Sequence, residues 1–306
     1  MASDRRQFLQ AILAGAVGTT FTHRALAQNA PPPITATKLA PDLVMLSGDG
    51  GNVAIVAAGD GLFMIDGGLD NRAADLMKAV ADVDGHKVTT LFNTHWHYDH
   101  VGSNETLGRA GAKIIAHENV KKRLSERTIF ESANRTFDPL KPEGLPAETF
   151  TTGLKRSLGR TGLIASHIPL AHTDGDAYVF FPSHNVLHTG DLLFNGTFPV
   201  IDYSTGGWIG GMAAASEALG KVGDANTKII PGHGPMATKA DLKASHDMLA
   251  TIHDRVAAMI KQGKSVEEVV AAKPTKEFDE QFGRGARRPD QFAQVAYTSI
   301  LRHMKV

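Results

Sequence analysis

"FNTHWHYDHVGSN", Phe92–Asn104, places His95, His97, Asp99 and His100 within six positions. The overlapping run "VTTLFNT" reads as a buried strand, so the cluster falls just past a strand's C-terminal end. His95 and His97 alternate as on extended backbone, whereas Asp99 and His100 follow at a turn or helix start. Two pairs of side chains can then point at two neighbouring positions, as a centre with two metal ions about 3.5–4 Å apart requires. A lone His-x-His carries little information; four ligand-type residues in six positions carry much more.

Outward from this stretch, further ligand-type residues stand where other apolar runs end: His172 in "PLAHTDGD", Asp191 in "LHTGDLLF" and His233 in "IIPGHGP". Gly232 and Gly234 permit a tight backbone on either side of His233. The 306-residue chain contains no cysteine. Disulfides and thiolate ligands are therefore excluded, and any metal is held by His, Asp or Glu.

His-x-His-x-Asp-His followed by single His, Asp and His loops resembles the metallo-β-lactamase superfamily, over roughly Leu43 to Pro235. The resemblance implies an αββα four-layer sandwich and two Zn²⁺ ions per chain. His95, His97 and His172 would bind the first zinc, Asp99, His100 and His233 the second, with Asp191 bridging both. It also implies a hydrolase acting on a small molecule with a carbonyl-type bond. Zinc lowers the pKa of bound water from about 15.7 towards 7, and the resulting hydroxide, oriented by Asp99, would open an amide, lactam, lactone or (thio)ester bond. Asp66 in "MIDGG" stands where this superfamily often keeps a carboxylate that fixes a ligand histidine's tautomer. His188, three residues before Asp191, is a second candidate for support from behind.

Departures from the better-known subfamilies narrow the reading. Where β-lactamases with a cysteine ligand keep a lysine for the substrate carboxylate, this chain has Phe194, which weakens a dedicated β-lactamase assignment. The aspartate at 191 is more similar to glyoxalase II and the lactonases. Two other classes remain open: an oxidoreductase like the mononuclear iron persulfide dioxygenases, which use the positions of His95, His97 and His172, and a non-catalytic metal-binding protein. In "FNGTFPVIDYSTGGWIGGM", Phe194, Phe198, Tyr203 and Trp208 are expected to supply an apolar wall on the substrate side.

The wider chain fits one α/β domain. "LVMLSG", "NVAIVAAG" and "GLFMIDGG" read as an antiparallel meander, followed by a helix over 70–82 and the strand "AKIIAH". Residues 125–147 lose periodicity and carry three prolines, as a loop or flap would. A second strand block, "LIASHIPL", "AYVFFP", "NVLHTGD" and "TKIIPG", brackets a helix over 207–221. Helical periodicity dominates from Thr238 onward, notably over 238–261 and 289–304. Two β-rich halves with helices outside independently suggest the αββα sandwich.

The N-terminus reads differently. Arg5 and Arg6 precede the short apolar run "AILAGAVGTTF", and "ALAQ" offers cleavage after Ala27. Residues 1–27 thus resemble a twin-arginine (Tat) export signal, which implies the Tat translocase as a transient partner and a periplasmic location. No stable membrane insertion is expected after cleavage. The Pro-rich 28–40 reads as an extended leader under no obligation to pack, ahead of a domain over 41–306. The formal net charge is zero, and without a basic footprint nucleic acid is not an expected partner.

Overall fold

Successive residues of one strand enter different cores, and this sets the layers. In β2, Leu43–Ser47, Leu43 and Met45 pack into one cluster while Val44 and Leu46 pack into another. A strand that is apolar on both faces must be covered on both. This computed structural model describes residues 31–48, 50–59, 61–285 and 287–305, so the expected signal over 1–27 lies outside the described residues.

The first sheet begins with β1, Thr35–Ala40, and β2, and continues through β3, Val53–Ala58, β4, Gly61–Ile65, β5, Val88–Asn93, and β6, Lys113–His117. A separate hairpin of β7, Thr128–Phe130, and β8, Arg135–Phe137, follows, and then β9, Glu148–Phe150, closes the seven-stranded order β1-β2-β3-β4-β5-β6-β9. Pairing is antiparallel from β1 to β4 and parallel from β4 to β9. The second sheet has five strands in sequence order: β10, Gly153–Leu158, β11, Thr161–His167, β12, Ala177–Phe181, β13, Val186–His188, and β14, Lys228–Ile230.

Between the sheets lies a core in which Phe63, Phe92 and Ile115 of the first meet Leu163, Val179 and Ile230 of the second. Outside the first sheet, Leu76 and Val80 of helix Ala73–Val83 cover Ile55, Met64 and Leu91. Outside the second, helices Ile209–Gly220, Lys239–Lys261 and Pro289–His303 cover Leu187 and Ile229. Helix, sheet, sheet, helix: the αββα sandwich expected from the sequence is the architecture found. No helix among the described residues is long and apolar enough to cross a membrane.

Three expectations change. The leader expected over 28–40 is not free of packing, because Thr35–Ala40 pairs antiparallel with β2 from Thr35 opposite Ser47 to Ala40 opposite Leu43. It is an edge strand held by backbone hydrogen bonds, with mostly exposed side chains, so hydropathy does not reveal it. The flap over 125–147 contains the β7–β8 hairpin, whose three-residue strands are too short to show a period. Strand β10, "GLKRSL", gives no hydropathy signal in the sequence, because its alternate positions Gly153, Lys155 and Ser157 face solvent.

Candidate metal centre

All the ligand-type residues collect at one edge of the sandwich, beyond strand ends. His95 and His97 follow β5. Asp99 and His100 lie in the short helix Tyr98–Val101 that His97 begins. His172 sits between β11 and β12, Asp191 in the 3-10 turn Gly190–Leu192 after β13, and His233 just after β14. Two glycines make the closeness possible. A Cβ at Gly232 would lie 2.0 Å from Asp191 Oδ1, and Gly190, at φ +51, would put one 2.5 Å from Thr94 Oγ1.

The residues form two groups, His95, His97, His172 and Asp191 in one and Asp99, His100 and His233 in the other, with candidate ligand atoms within 4.8 Å of one another in each. Asp191 stands between them. Its Oδ2 is 3.3 Å from His172 Nε2 and 3.7 Å from His95 Nε2, while its Oδ1 is 3.1 Å from His100 Nε2 and 3.4 Å from His233 Nε2. Each carboxylate oxygen thus faces one group. His233 Nε2 is also 3.3 Å from Asp99 Oδ2.

The protonation pattern of the first group calls for a cation. His172 Nδ1 is 2.7 Å from the Val200 carbonyl, which can only accept, so the proton is on Nδ1. His97 Nε2 is 3.3 Å from the Asp202 carboxylate and by the same logic donates to it. The inward nitrogens, His172 Nε2 and His97 Nδ1, then present bare lone pairs to each other at 2.8 Å. A shared metal ion relieves that repulsion. Among the described residues the buried His95 Nε2 and Asp191 Oδ1 have no hydrogen-bond partner, which leaves them available to the same ions.

Electrostatics agree. Burial holds His95 well below its usual pKa, helped by the neighbouring His100, and burial takes His172 down to about 4. Burial opposes ionisation of Asp191 and Asp99, yet His100 and His233 overcome it. Asp191 lies well below the carboxylate range and Asp99 falls to about 2. In the second group burial works against the imidazolium, but Asp191 and Asp66 raise His100 well above its ordinary value. Asp191 and Asp99 likewise raise His233 to about 9. The ionised carboxylates and the neutral His95 and His172 are already in the form that binds metal, whereas His100 and His233 would each release a proton to do so.

Support comes from behind. Asp66 Oδ2 is 2.8 Å from His100 Nδ1 and also accepts from Thr94 Oγ1 at 2.8 Å, while Oδ1 accepts from the Thr94 N–H, as its expected orienting role requires. Asp66 achieves this in the left-handed region, at φ +62. The hydrogen bonds of His188 among the described residues are to backbone: its Nδ1 accepts from the Gly190 N–H at 3.2 Å and its Nε2 lies 3.3 Å from the Asn52 carbonyl, so it braces the turn that carries Asp191. Two supports had escaped the sequence reading. Asp202, 105 residues from His97, also accepts from Ser204 and Thr205, and Asp176 pins the loop through the His172 and Thr173 N–H groups. "HTDGD" held the only hint of the latter, an acidic residue four positions after His172.

A cavity of about 620 Å³ opens over the centre, lined by His97, Tyr98, Asp99, Asp191 and His233 and by Phe130, Ala133, Arg135, Phe194, Thr197, Phe198, Val200, Gly234 and Arg287. Phe130 stacks on His97 with centroids 4.2 Å apart, and Phe194 on His233 at 5.0 Å. Phe194 and Phe198 thus line the cavity, although Phe198 is almost wholly buried against Phe292. Tyr203 and Trp208 do not line it. Trp208 stacks on His303 of the last helix at 3.7 Å, and Tyr203 lies under the Arg302 guanidinium at 4.8 Å. Both aromatics pack against the last helix, because the loop turns away from the cavity once it passes Val200.

The sequence profile of the metallo-beta-lactamase superfamily matches residues 46–237, the span that carries all seven ligand-type residues. Hydroxyacylglutathione hydrolase from Maricaulis maris (strain MCS10) is 39% identical over 127 residues, 41% of this chain and 42% of that protein. A type 2 metallo-beta-lactamase from Bacillus cereus is 23% identical over 204 residues, 65% of this chain and 72% of that one. The chain therefore spans less than half of that hydroxyacylglutathione hydrolase. Among solved structures, a metallo-beta-lactamase from Pontibacter korlensis superposes with TM-score 0.59 at 19% identity, over 71% of this chain and 99% of its own. The stereoselective inverting sec-alkylsulfatase Pisa1 from Pseudomonas sp. reaches TM-score 0.67 at 16% identity, over 88% of this chain and 50% of its own. These likenesses show the fold, and the profile match shows the family: the chain belongs to the metallo-beta-lactamase superfamily.

Proposed function

We propose that this chain is a dinuclear zinc hydrolase that opens an amide, lactam, lactone or (thio)ester bond in a small molecule. One observation carries the reading: the Asp191 carboxylate turns one oxygen to each of two complete ligand groups. A mononuclear iron oxidoreductase would need only His95, His97 and His172, and would leave Asp99, His100 and His233 without a purpose.

His95, His97 and His172 would hold one zinc, Asp99, His100 and His233 the other, with Asp191 shared. Two such ions supply Lewis acidity and ionise water at neutral pH. The chain's own residues do the rest. Asp99, ionised and lining the cavity, orients the attacking water and holds its proton on a carboxylate oxygen until the leaving group takes it. Phe130 and Phe194 exclude bulk water and receive the apolar part of an acyl or ring-containing substrate. The named hydroxyacylglutathione hydrolase and metallo-beta-lactamase relatives support thioester and lactam bonds among the candidates.

Export through the Tat translocase to the periplasm is part of the proposal, supported by Arg5, Arg6, the apolar run and the Ala25 and Ala27 pair. The central test combines metal analysis with a panel of a chromogenic cephalosporin, an acyl-homoserine lactone and a glutathione thioester. About two zinc per chain is expected, with turnover of at least one substrate. In Asp191→Ala that turnover should fall by more than about a hundredfold, the upper range for residues that merely support ligands. One iron per chain, or an unchanged rate in Asp191→Ala, would overturn it.

A further inference from the structure

The position where some relatives keep a carboxylate-binding lysine is Phe194, stacked on His233, so that route to an anionic substrate is closed. Two other cations nevertheless line the cavity, Arg135 from strand β8 of the hairpin and Arg287 from the segment before the last helix. Arg287 lies outside the span matched by the family profile. Resting on the hydrolase reading, we propose that Arg135 and Arg287 form an anion subsite, and that the substrate carries a carboxylate remote from its scissile carbonyl.

Among the described residues both guanidiniums lack a carboxylate partner. Other arginines meet acids, as Arg123 meets Asp174 at 2.7 Å and Arg302 meets Glu131 at 2.6 Å. Arg160 and Arg284 also form no ion pair among the described residues, but they do not line this cavity, whereas Arg135 and the only partly exposed Arg287 do. A cation withdrawn from water without a counter-charge is unfavourable unless something anionic joins it. Burial accordingly pulls Arg287 below its ordinary pKa, with Tyr203 acting weakly the other way.

The two groups are also held in place. Arg287 spends one end of its fork, donating from Nη2 to the Ser132 carbonyl at 2.6 Å and to Ser132 Oγ at 3.3 Å, and its remaining N–H groups have no acceptor among the described residues. Ser132 lies in the turn of the same hairpin and donates to the Ile201 carbonyl. The Arg135 Cζ lies over the Tyr98 ring, 4.4 Å from its centroid, and among the described residues its N–H groups have no hydrogen-bond acceptor. The planar, multi-donor guanidinium matches a carboxylate better than a point charge would. Phe130 and Phe194 share the cavity lining with the two arginines and stack on His97 and His233, so the subsite suits an acyl compound with an apolar part and an acidic end.

The test uses zinc-loaded protein with mono-p-nitrophenyl glutarate, which keeps a free carboxylate, and its methyl ester, which does not. Wild type should prefer the acid, and Arg135→Met or Arg287→Met should each shrink the acid-to-ester ratio of kcat/KM about tenfold, through KM. Arg287→Lys should restore part of it. In parallel, calorimetric titration with monomethyl glutarate should show Kd raised about tenfold in each Met variant. Arg135→Met changes an exposed side chain, so it decides the matter even if Arg287→Met fails to fold. A ratio and a Kd unchanged in Arg135→Met and Arg287→Lys would overturn the subsite. If neither ester is turned over, the hydrolase reading falls and the titration alone judges the anion site.

Discussion

The two ligand groups share one carboxylate but not one environment. His95, His97 and His172 are buried, and each has its outer ring nitrogen engaged, by Thr94 Oγ1, Asp202 and the Val200 carbonyl respectively. In the second group only His100 is so enclosed; the side chains of His233 and Asp99 remain 27% and 15% exposed at the cavity floor. The first group is a closed, preformed cage in which burial keeps His95 and His172 neutral. The second is half open and, without metal, holds protons on His100 and His233. Structural closure and catalytic access are thereby divided between neighbours that touch through Asp191.

The largest effect that separates them is pH. Metal entering the second group must displace a proton from His233, whose pKa is about 9, whereas His172 at about 4 is already neutral. Zinc affinity at the second group should therefore rise by at least about tenfold per pH unit below about pH 9, since His100 gives up a proton as well, and less steeply at the first. Chelator competition at three pH values reads this directly; equal slopes at both sites would erase the distinction. The metal-free chain carries the complementary sign. Since folding raises the His233 pKa, its pairing with Asp191 and Asp99 stabilises the fold fully below about pH 6.5 and is lost as pH climbs through about 9. Thermal melts of chelated protein should show Tm falling over that window.

Next come the carboxylates behind each group. Asp66→Ala removes the partner of His100 Nδ1 and should weaken the second zinc by about 10–100-fold, with the first ion retained. Asp202→Ala acts on His97 and should weaken the first, nearer to tenfold because that contact is longer, at 3.3 Å. Metal titration followed by calorimetry would show which binding step moves. If both variants weakened the same step, the two-group description would fail.

The seven ligand-type residues were legible because each is announced locally, by a crowded stretch or by an apolar run ending in glycine. Asp66 was legible for the same reason. Asp202 was not, because nothing near "VIDYST" marks a carboxylate whose partner lies 105 residues away. Arg135 and Arg287 were equally silent: a lone arginine on a loop reads the same whether it faces solvent or a cavity. The sandwich itself could be read wherever strands were apolar, and was lost where an edge strand turns mostly exposed or polar side chains outward, as at Thr35–Ala40 and Gly153–Leu158.

Trp208 offers the smallest expected effect and the sharpest check on where the cavity ends. An aromatic in a loop after a ligand looks like a substrate wall, but here the glycines after it explain its place differently. A Cβ at Gly210 would fall 2.3 Å from the Trp208 ring, so the helix start is shaped to admit the indole. There it stacks on His303 at an interplanar angle of 6° and meets His253 edge-on at 5.6 Å. Trp208→Phe should thus leave kcat/KM within about twofold while lowering stability by about 1 kcal/mol, as loss of an aromatic contact does. Urea unfolding and steady-state kinetics on the same preparation separate the two outcomes. A tenfold rise in KM with unchanged stability would instead put Trp208 against the substrate and move the cavity wall beyond Val200.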